Sequence, residues 1–350
     1  MDRKTPVGVL GATGMVGQHF VKFLQDHPWF EIAWVGASDR SAGKKYSEAT
    51  NWRLEGSMPA AVAGLTVSDC KPVAGIPELV FSAMDASVAT EIERAFAEAG
   101  HTVVSNSKNH RMDSDVPLLV PEINPDHLKL VPEQQRARGW KGQIVTNPNC
   151  STVGLTMGLG PLKQFGIAKV IVTTMQAISG AGYPGVASMD IMGNVIPFIG
   201  GEEEKMQVET QKILGAFRGD HIEPLAAKVS AQCNRVAVVD GHTEAVSVEF
   251  STKPSEQDLR RAFAEFSGVP QERKLPSAPA SPVIYLEENN RPQPRKDADR
   301  GRGMTASVGR LRPCPVLDWK FVVLSHNTIR GAAGAAVLNA ELMHSEGMLD

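Results

Sequence analysis

Cys150 lies in the run Thr146-Asn147-Pro148-Asn149-Cys150-Ser151-Thr152, between an apolar strand-like segment (Gln143 to Thr146) and an apolar helical pattern (Val153 to Leu162). That context puts the thiol at or just before a helix N-terminus. Unpaired N–H groups and the positive end of the helix dipole gather there and favour an anion. They are expected to lower the thiol pKa, to make Cys150 a thiolate nucleophile, and to hold the oxyanion formed when it attacks a carbonyl. The competing reading is a buried, inert cysteine. His242, after a strand and the pair Asp240-Gly241, is the candidate base, because an imidazole can take a thiol proton and return it. Arg235 is suited to clamp a carboxylate. It stands seven residues before His242. On one extended strand that odd spacing faces the two oppositely, so the Asp-Gly turn has to matter if both reach one pocket.

A second constellation opens the chain. The apolar run Val7 to Leu10 is followed by Gly11-Ala12-Thr13-Gly14-Met15-Val16-Gly17, and then by Val16, Phe20, Phe23 and Leu24 at helical spacing. Strand, glycine turn and helix is the context that makes such a pattern a dinucleotide fingerprint. Gly11 allows the tight turn, Gly14 lets a pyrophosphate approach, and Gly17 lets helix and strand pack closely. The phosphates then rest on the helix start. After a second strand, Glu31 to Gly36, the segment from Ala37 to Gly43 is where the adenosine ribose belongs. Ser38, Arg40 and Ser41 suit a 2′-phosphate and favour NADP, whereas Asp39 argues for NAD.

The elements that position these residues follow from periodicity. Leu79 to Ala83 and Thr102 to Ser105 read as strands, and Ser87 to Gly100 as a helix. Alternation of this kind implies a parallel sheet with right-handed crossovers. The polar segment from Ser105 to Pro117 lies at a strand's C-terminal end, where such sheets bind ligands. Beyond Cys150 the pattern changes. Ala168 to Ile178 is β-rich and leads into a glycine-dense loop with Ser179 and Gly180. A helix runs from Gly200 to about Leu214. Val229 to Ala231, Arg235 to Val239, Ala245 to Phe250, Val283 to Leu286, Met304 to Leu311 and Trp319 to Leu324 read as strands of a mixed sheet. Ser255 to Phe266 is a helix whose start is capped by Ser255 with Asp258. Thr328 to Met343 is a helix rich in small residues, able to pack closely on another element. The chain of 350 residues divides into two domains, the first running to about residue 149 and the second following from 150.

Composition sets limits. The chain is 42% apolar and 21% charged with a net charge of −3, as in ordinary globular proteins, and carries no signature of a nucleic-acid or membrane surface. It contains no spanning apolar run and no signal-peptide core. Cys70, Cys150, Cys233 and Cys314 lack metal-binding spacing, so reduced thiols in a cytoplasmic protein are expected.

The segments GATGMVG, SNSKNHRMDSDVPLLVPEIN, NPNCST, QAISGAGYPG, GGEEEKMQVET, CNRVAVVDGHTE and SHNTIRGAAG occur in this order over nearly the whole chain. With them the sequence resembles aspartate-semialdehyde dehydrogenases, in the branch found in archaea and fungi. The resemblance implies an α/β protein with an N-terminal NADP-binding Rossmann-type parallel-sheet domain, a mixed α+β catalytic and dimerisation domain, and a C-terminal helix packing back on the first domain. It implies interconversion of L-aspartyl 4-phosphate and L-aspartate 4-semialdehyde without a metal, by a homodimer or homotetramer. Carried to matching positions, Cys150 forms the thioacyl enzyme, Gln176 orients it and His242 is the acid/base. Arg235 holds the substrate carboxylate, Glu202 (or Glu203) its ammonium, and Lys205 with Arg111 the phosphate. Gly11, Thr13, Gly14, Met15, Val16, Ser38, Arg40, Ser41, Ser82, Ser179, Gly180 and Asn327 are the cofactor positions. The alternative enzyme is malonyl-CoA reductase, a relative of this branch, but its substrate has no ammonium for Glu202. A silent nucleotide-sensing module is the alternative outside enzymology.

Overall fold

The computed structural model describes residues 4–349. The first sheet is parallel throughout: β1 (Thr5–Leu10), β2 (Phe30–Ala37), β3 (Val67–Asp69), β4 (Leu79–Ser82), β5 (Thr102–Ser105) and β6 (Gln143–Thr146). Their spatial order is β3-β2-β1-β4-β5-β6. The order reverses at β1, so β1 and β4 diverge to opposite sides and leave a crevice at their C-terminal ends. Helix α1 (Met15–Phe23) starts there, and α2 (Ala86–Glu98) returns the chain from β4 to β5. Strands β4 and β5 are buried along their whole length, as parallel strands covered on both faces are. Three-residue β3, at the sheet edge, and α3 (Val131–Arg138) are additions to the elements legible in the sequence. The polar α3, VPEQQRAR, has no apolar stripe to announce it.

Strand β6 runs through Asn147 and Pro148 into α4 (Cys150–Leu159), which passes to the second sheet. Every residue of α4 after Cys150 is buried. An all-round buried helix of this kind is built from small and apolar residues, and α4 reads CSTVGLTMGL. Gly158 shows why: an added Cβ would lie 3.1 Å from the Phe321 ring. The second sheet is mixed. It contains β7 (Ile167–Gln176), β10 (Lys228–Arg235), β11 (His242–Phe250), β12 (Val283–Leu286), β13 (Ala306–Pro313) and β14 (Trp319–Ser325), in the order β10-β7-β11-β14-β13-β12. A small ribbon pairs β8 (Ala216–Phe217) with β9 (Ile222–Glu223). Helix α5 (Glu202–Ile213) packs on α4 and β10. Helix α6 (Glu256–Glu265) begins with the expected box, Ser255 and Asp258 capping each other.

One strand assignment changes. Val229 to Ala231 and Arg235 to Val239 are not two strands; a single β10 ends at Arg235. Residues 236–239 instead cross the end of β7. Val236 N–H donates to Gln176 O at 3.0 Å, and Ile178 N–H donates to Val238 O at 2.8 Å. Their apolar sequence reads as a strand, but the chain here is changing sides of β7.

The C-terminal segment opens as a π-turn, Ile329–Ala333, before α7 (Gly334–Ser345). Ala336, Val337, Leu338, Ala340, Leu342 and Met343 join the core of the first domain. Glu341 on this helix is buried, accepting from Ser277 N–H and meeting His27 Nε2 at 2.7 Å. The helix therefore returns to the first domain, as the resemblance implies. Among the described residues no helix is long and apolar enough to cross a membrane.

Candidate active site

Asn149 is the N-cap of α4. Its Oδ1 accepts from Ser151 N–H at 3.0 Å and from Thr152 N–H at 3.1 Å. Its Nδ2 donates to Glu202 Oε1 at 2.8 Å, and its backbone N–H donates to Glu209 Oε2 at 2.7 Å. Cys150 is thus the first helical residue, as expected. Of the N–H groups at the helix start, those of Ser151 and Thr152 are spent on the Asn149 side chain, and the sulfur's partner is His242 Nε2 at 3.3 Å. Burial, then the nearby Glu202 carboxylate, push the Cys150 thiol up to about 12, against the pull of Arg111, Arg235 and Lys205. The shift is opposite to the lowered thiol pKa expected from the sequence, because burial and Glu202 outweigh the neighbouring cations.

His242 and Arg235 reach one pocket because β10 and β11 flank β7 on opposite sides and meet its C-terminal end. Arg235 is in register with Gln176, and Thr243 with Met175. The odd spacing in sequence is resolved by residues 236–241 crossing over that end. Ala177, the residue after β7, holds both side chains: its O accepts from Arg235 Nη1 at 2.7 Å, and its N–H donates to His242 Nδ1 at 3.0 Å. A backbone N–H can only donate, so Nδ1 is the acceptor and the proton of neutral His242 sits on Nε2, facing the sulfur; in this tautomer His242 donates and does not take the thiol proton, which corrects the base role expected from the sequence. Burial and the Arg235 charge hold His242 neutral, its pKa lowered to about 3. Gln176 is buried beside them, its Nε2 donating to Thr174 Oγ1 at 3.3 Å. Gly180 passes directly above: an added Cβ would lie 3.0 Å from Arg235 Nη1 and 3.1 Å from His242 Nε2. A side chain at this position would press on both groups, so glycine suits the crossing.

Helix α5 supplies the charges. Glu202 Oε2 pairs with Lys205 Nζ at 2.6 Å. Burial works to raise the Glu202 carboxyl, but Lys205 and Asn149 outweigh it and hold the group below the usual range. Glu203 faces the other way and accepts from Cys233 N–H on β10. Arg111 is buried, with Nη1 on Glu209 Oε1 at 3.0 Å and Nη2 on Asn106 O at 2.8 Å. The structure therefore gathers Cys150, His242, Gln176, Arg235, Glu202, Lys205 and Arg111 around one centre.

The cofactor positions lie along the crevice of the first sheet and at the end of the second. Gly11 takes φ +72, and a Cβ there would lie 2.5 Å from Ala83 O. Gly17 leaves no room either, with Gly11 O at 2.3 Å from a Cβ, so α1 sits hard against the turn. A Cβ on exposed Gly14 would meet nothing closer than 3.4 Å. The carbonyls of Ala12 and Thr13 are held inward by Tyr46 Oη at 2.9 Å and Gln18 Nε2 at 3.0 Å. The N–H groups of the first turn, Met15 and Val16 among them, have no intrahelical partner and no side-chain cap. This cradle fits a pyrophosphate. Ser38 and Arg40 are exposed at the end of β2, where Ser41 N–H closes a turn onto Ser38 O. Ser82, at the end of β4, is turned inward: its hydroxyl donates to buried Glu93 at 2.6 Å. Asn327 Nδ2 donates to Ser179 Oγ at 2.8 Å and its Oδ1 accepts from Gly241 N–H at 2.8 Å, tying together the two loops that flank His242.

Three contributors were not singled out from sequence. Gly331 packs on the nucleophile, where a Cβ would lie 2.7 Å from Cys150 Cβ. Glu209 and Lys212 continue the site face of α5. The spacing of Glu202, Lys205, Glu209 and Lys212 along one helix face was the available signal, and the burial of Glu202, Glu209 and Lys212 is what marks it as unusual.

Residues 6–131 match the family model described as semialdehyde dehydrogenase, NAD binding domain, and residues 159–330 match semialdehyde dehydrogenase, dimerisation domain. The aspartate-semialdehyde dehydrogenase of Methanothermobacter thermautotrophicus is 51% identical over 97% of this chain and 98% of that protein. The Saccharomyces cerevisiae enzyme is 47% identical over 100% of both. The chain belongs to the aspartate-semialdehyde dehydrogenase family. The crystal structure of the Candida albicans aspartate-semialdehyde dehydrogenase with NADP superposes with a TM-score of 0.92 at 45% identity, covering 99% of this chain and 100% of that one. The two-domain α/β architecture is thus that of the family, and the second sheet lies in its dimerisation domain.

Proposed function

We infer that this chain catalyses the NADP-dependent reductive dephosphorylation of L-aspartyl 4-phosphate to L-aspartate 4-semialdehyde through a thioacyl intermediate on Cys150, a step of lysine, threonine and methionine biosynthesis. The observation that carries the reading is the Cys150–His242 pair at 3.3 Å, ringed by Arg235, Glu202, Lys205 and Arg111. Arg235 takes the α-carboxylate of the substrate and Glu202 its ammonium. Lys205 and Arg111 take the phosphoryl group. Glu202, not Glu203, has the position for this role, because Glu203 is engaged by β10. Glu202 is also an anion that keeps the thiol protonated, so an ammonium arriving beside it makes the sulfur easier to ionise.

Attack forms the C–S bond and breaks the C–O bond to phosphate, which leaves with the bonding pair and the proton that had been on the thiol. Bound NADPH supplies the hydride that reduces the thioester. His242 keeps a proton at Nε2, aimed first at the thiolate and then at the oxygen that gains charge. Gln176 orients the thioacyl group from beneath. Collapse of the hemithioacetal re-forms the carbonyl, releases the aldehyde and returns the sulfur, which regains a proton. The uncapped start of α1 receives the pyrophosphate of NADP, and Ser38, Arg40 and Ser41 its 2′-phosphate. Residues 1–149 with 327–350 form the cofactor domain, and 150–326 the catalytic domain. The outer face of β7 exposes Ile171 and Met175 and supports pairing with a second copy, as a homodimer or a homotetramer built from dimers. Cytoplasmic operation accords with free thiols.

The test is phosphate-dependent reduction of NADP with L-aspartate 4-semialdehyde, in wild type and Cys150→Ala. Turnover should require phosphate and fall at least ~10³-fold in the variant. Oxidation of NADPH with malonyl-CoA, and none of the expected turnover, would overturn the reading in favour of thioester reduction.

A further inference from the structure

Arg111, the arm that the proposed function assigns to the phosphoryl group, is not free to meet it. Its guanidinium is buried and already paired with Glu209, Nη1 to Oε1 at 3.0 Å. The other oxygen of the same carboxylate accepts the backbone N–H of Asn149 at 2.7 Å. Asn149 caps the helix that begins with Cys150. A single buried carboxylate, Glu209, therefore joins the anion-binding arm to the cap of the nucleophile helix. Glu209 is seven residues after Glu202 on α5, so both project from one face of the helix. Lys212, one turn further, fastens the loop that carries Arg111: its Nζ donates to the carbonyls of Arg111 at 2.7 Å, Asp113 at 2.8 Å and Val116 at 2.9 Å. The loop is thus fixed by its backbone through Lys212, and its guanidinium by Glu209. Arg111 Nε, buried, has no hydrogen-bond partner among the described residues.

We propose that Glu209 is a positioning residue that weakens the grip of Arg111 on the phosphoryl group and couples that grip to the seating of the Cys150 helix. An entering phosphate dianion must share Arg111 with Glu209, and the two anions repel at short range. Binding is weaker than an unshared buried arginine would give, which suits a step in which phosphate has to leave. As the dianion draws Arg111 toward itself, the load on Glu209 passes to its remaining partner, the N–H of Asn149. Occupancy of the anion pocket and the position of the nucleophile are then linked through one side chain, and the linkage is reciprocal. The free Nε of Arg111 is the donor available to the dianion while Nη1 stays on Glu209. The proposal rests on the assignment of Arg111 to phosphate, and not on the identity of the acyl group.

Glu209→Gln removes the charge and keeps an amide oxygen for Asn149 N–H. Inorganic phosphate is titrated calorimetrically into wild type, Glu209→Gln and Arg111→Ala, and turnover with L-aspartate 4-semialdehyde is measured at varied phosphate. Phosphate affinity should rise at least about fivefold in Glu209→Gln. The KM for phosphate should fall in step, and kcat should fall instead of rising. Arg111→Ala should bind phosphate more weakly than wild type. Unchanged or weakened phosphate binding in Glu209→Gln, or a loss of kcat with no change in the KM for phosphate, would reduce Glu209 to a structural residue and overturn the proposal. Lack of phosphate binding by all three proteins would overturn the anion pocket itself. The calorimetric arm needs no turnover. An enzyme inactive toward the semialdehyde but showing the affinity increase would therefore sink the proposed reaction and leave the role of Glu209 standing.

Discussion

The starts of α1 and α4 are both places where a strand of the first sheet runs into a helix, and they are built in opposite ways. At α1 the preceding residue is glycine, no side chain caps the helix, and the carbonyls of the turn are held inward by Tyr46 and Gln18. At α4 the preceding residue is Asn149, which takes the N–H groups of Ser151 and Thr152. The first end is left open for an anion. At the second, the N–H groups of Ser151 and Thr152 are taken by Asn149, and Arg111, Arg235 and Lys205 are the charges that favour ionisation of Cys150. A helix N-terminus is an anion site only where its N–H groups are unspent.

Exchanging the features of the two ends should break the contrast. Asn149→Ala uncaps α4 and takes one partner from Glu202, while the backbone N–H to Glu209 remains. It should lower kcat by about 100-fold through misplacement of Cys150. It should also cost about 1 kcal/mol of stability, measured by denaturant titration. An enzyme near wild-type rate would mean that the cap does not seat the sulfur. The smaller effect is expected at the open end. Gly11→Ala forces a Cβ onto a φ of +72 and against Ala83 O. NADP affinity, measured by fluorescence titration, should fall about tenfold from backbone strain alone. Alkylation of Cys150 should be unaltered. A change in thiol reactivity there would show that the two ends are not independent.

The same contrast explains what was legible in the sequence. The dinucleotide crevice is built from contiguous residues: a strand, a glycine turn and a helix, each with its own period. It could be read directly, together with most strands of both sheets. Cys150 was placed correctly on its helix, but its ionisation was not. The spending of N–H groups by Asn149 and the proximity of Glu202 depend on tertiary contacts that periodicity does not encode. Residues 236–239 have strand composition and no strand, because their hydrogen bonds go to the end of β7. Glu209 and Gly331 matter only through partners distant in sequence. Gly331 belongs to a small-residue segment that was expected to pack closely on something, and that something is Cys150 itself.

The pH dependence of Cys150 alkylation by iodoacetamide in the ligand-free protein, followed by mass spectrometry to separate it from Cys70, Cys233 and Cys314, tests the closed helix end most directly. A thiol pushed up to about 12 ionises roughly tenfold more with each pH unit below that value. The rate should therefore climb without a plateau from pH 6 to about 10, within the range where the protein stays folded. A plateau reached near pH 7 would show a resident thiolate at the helix start and would contradict the account.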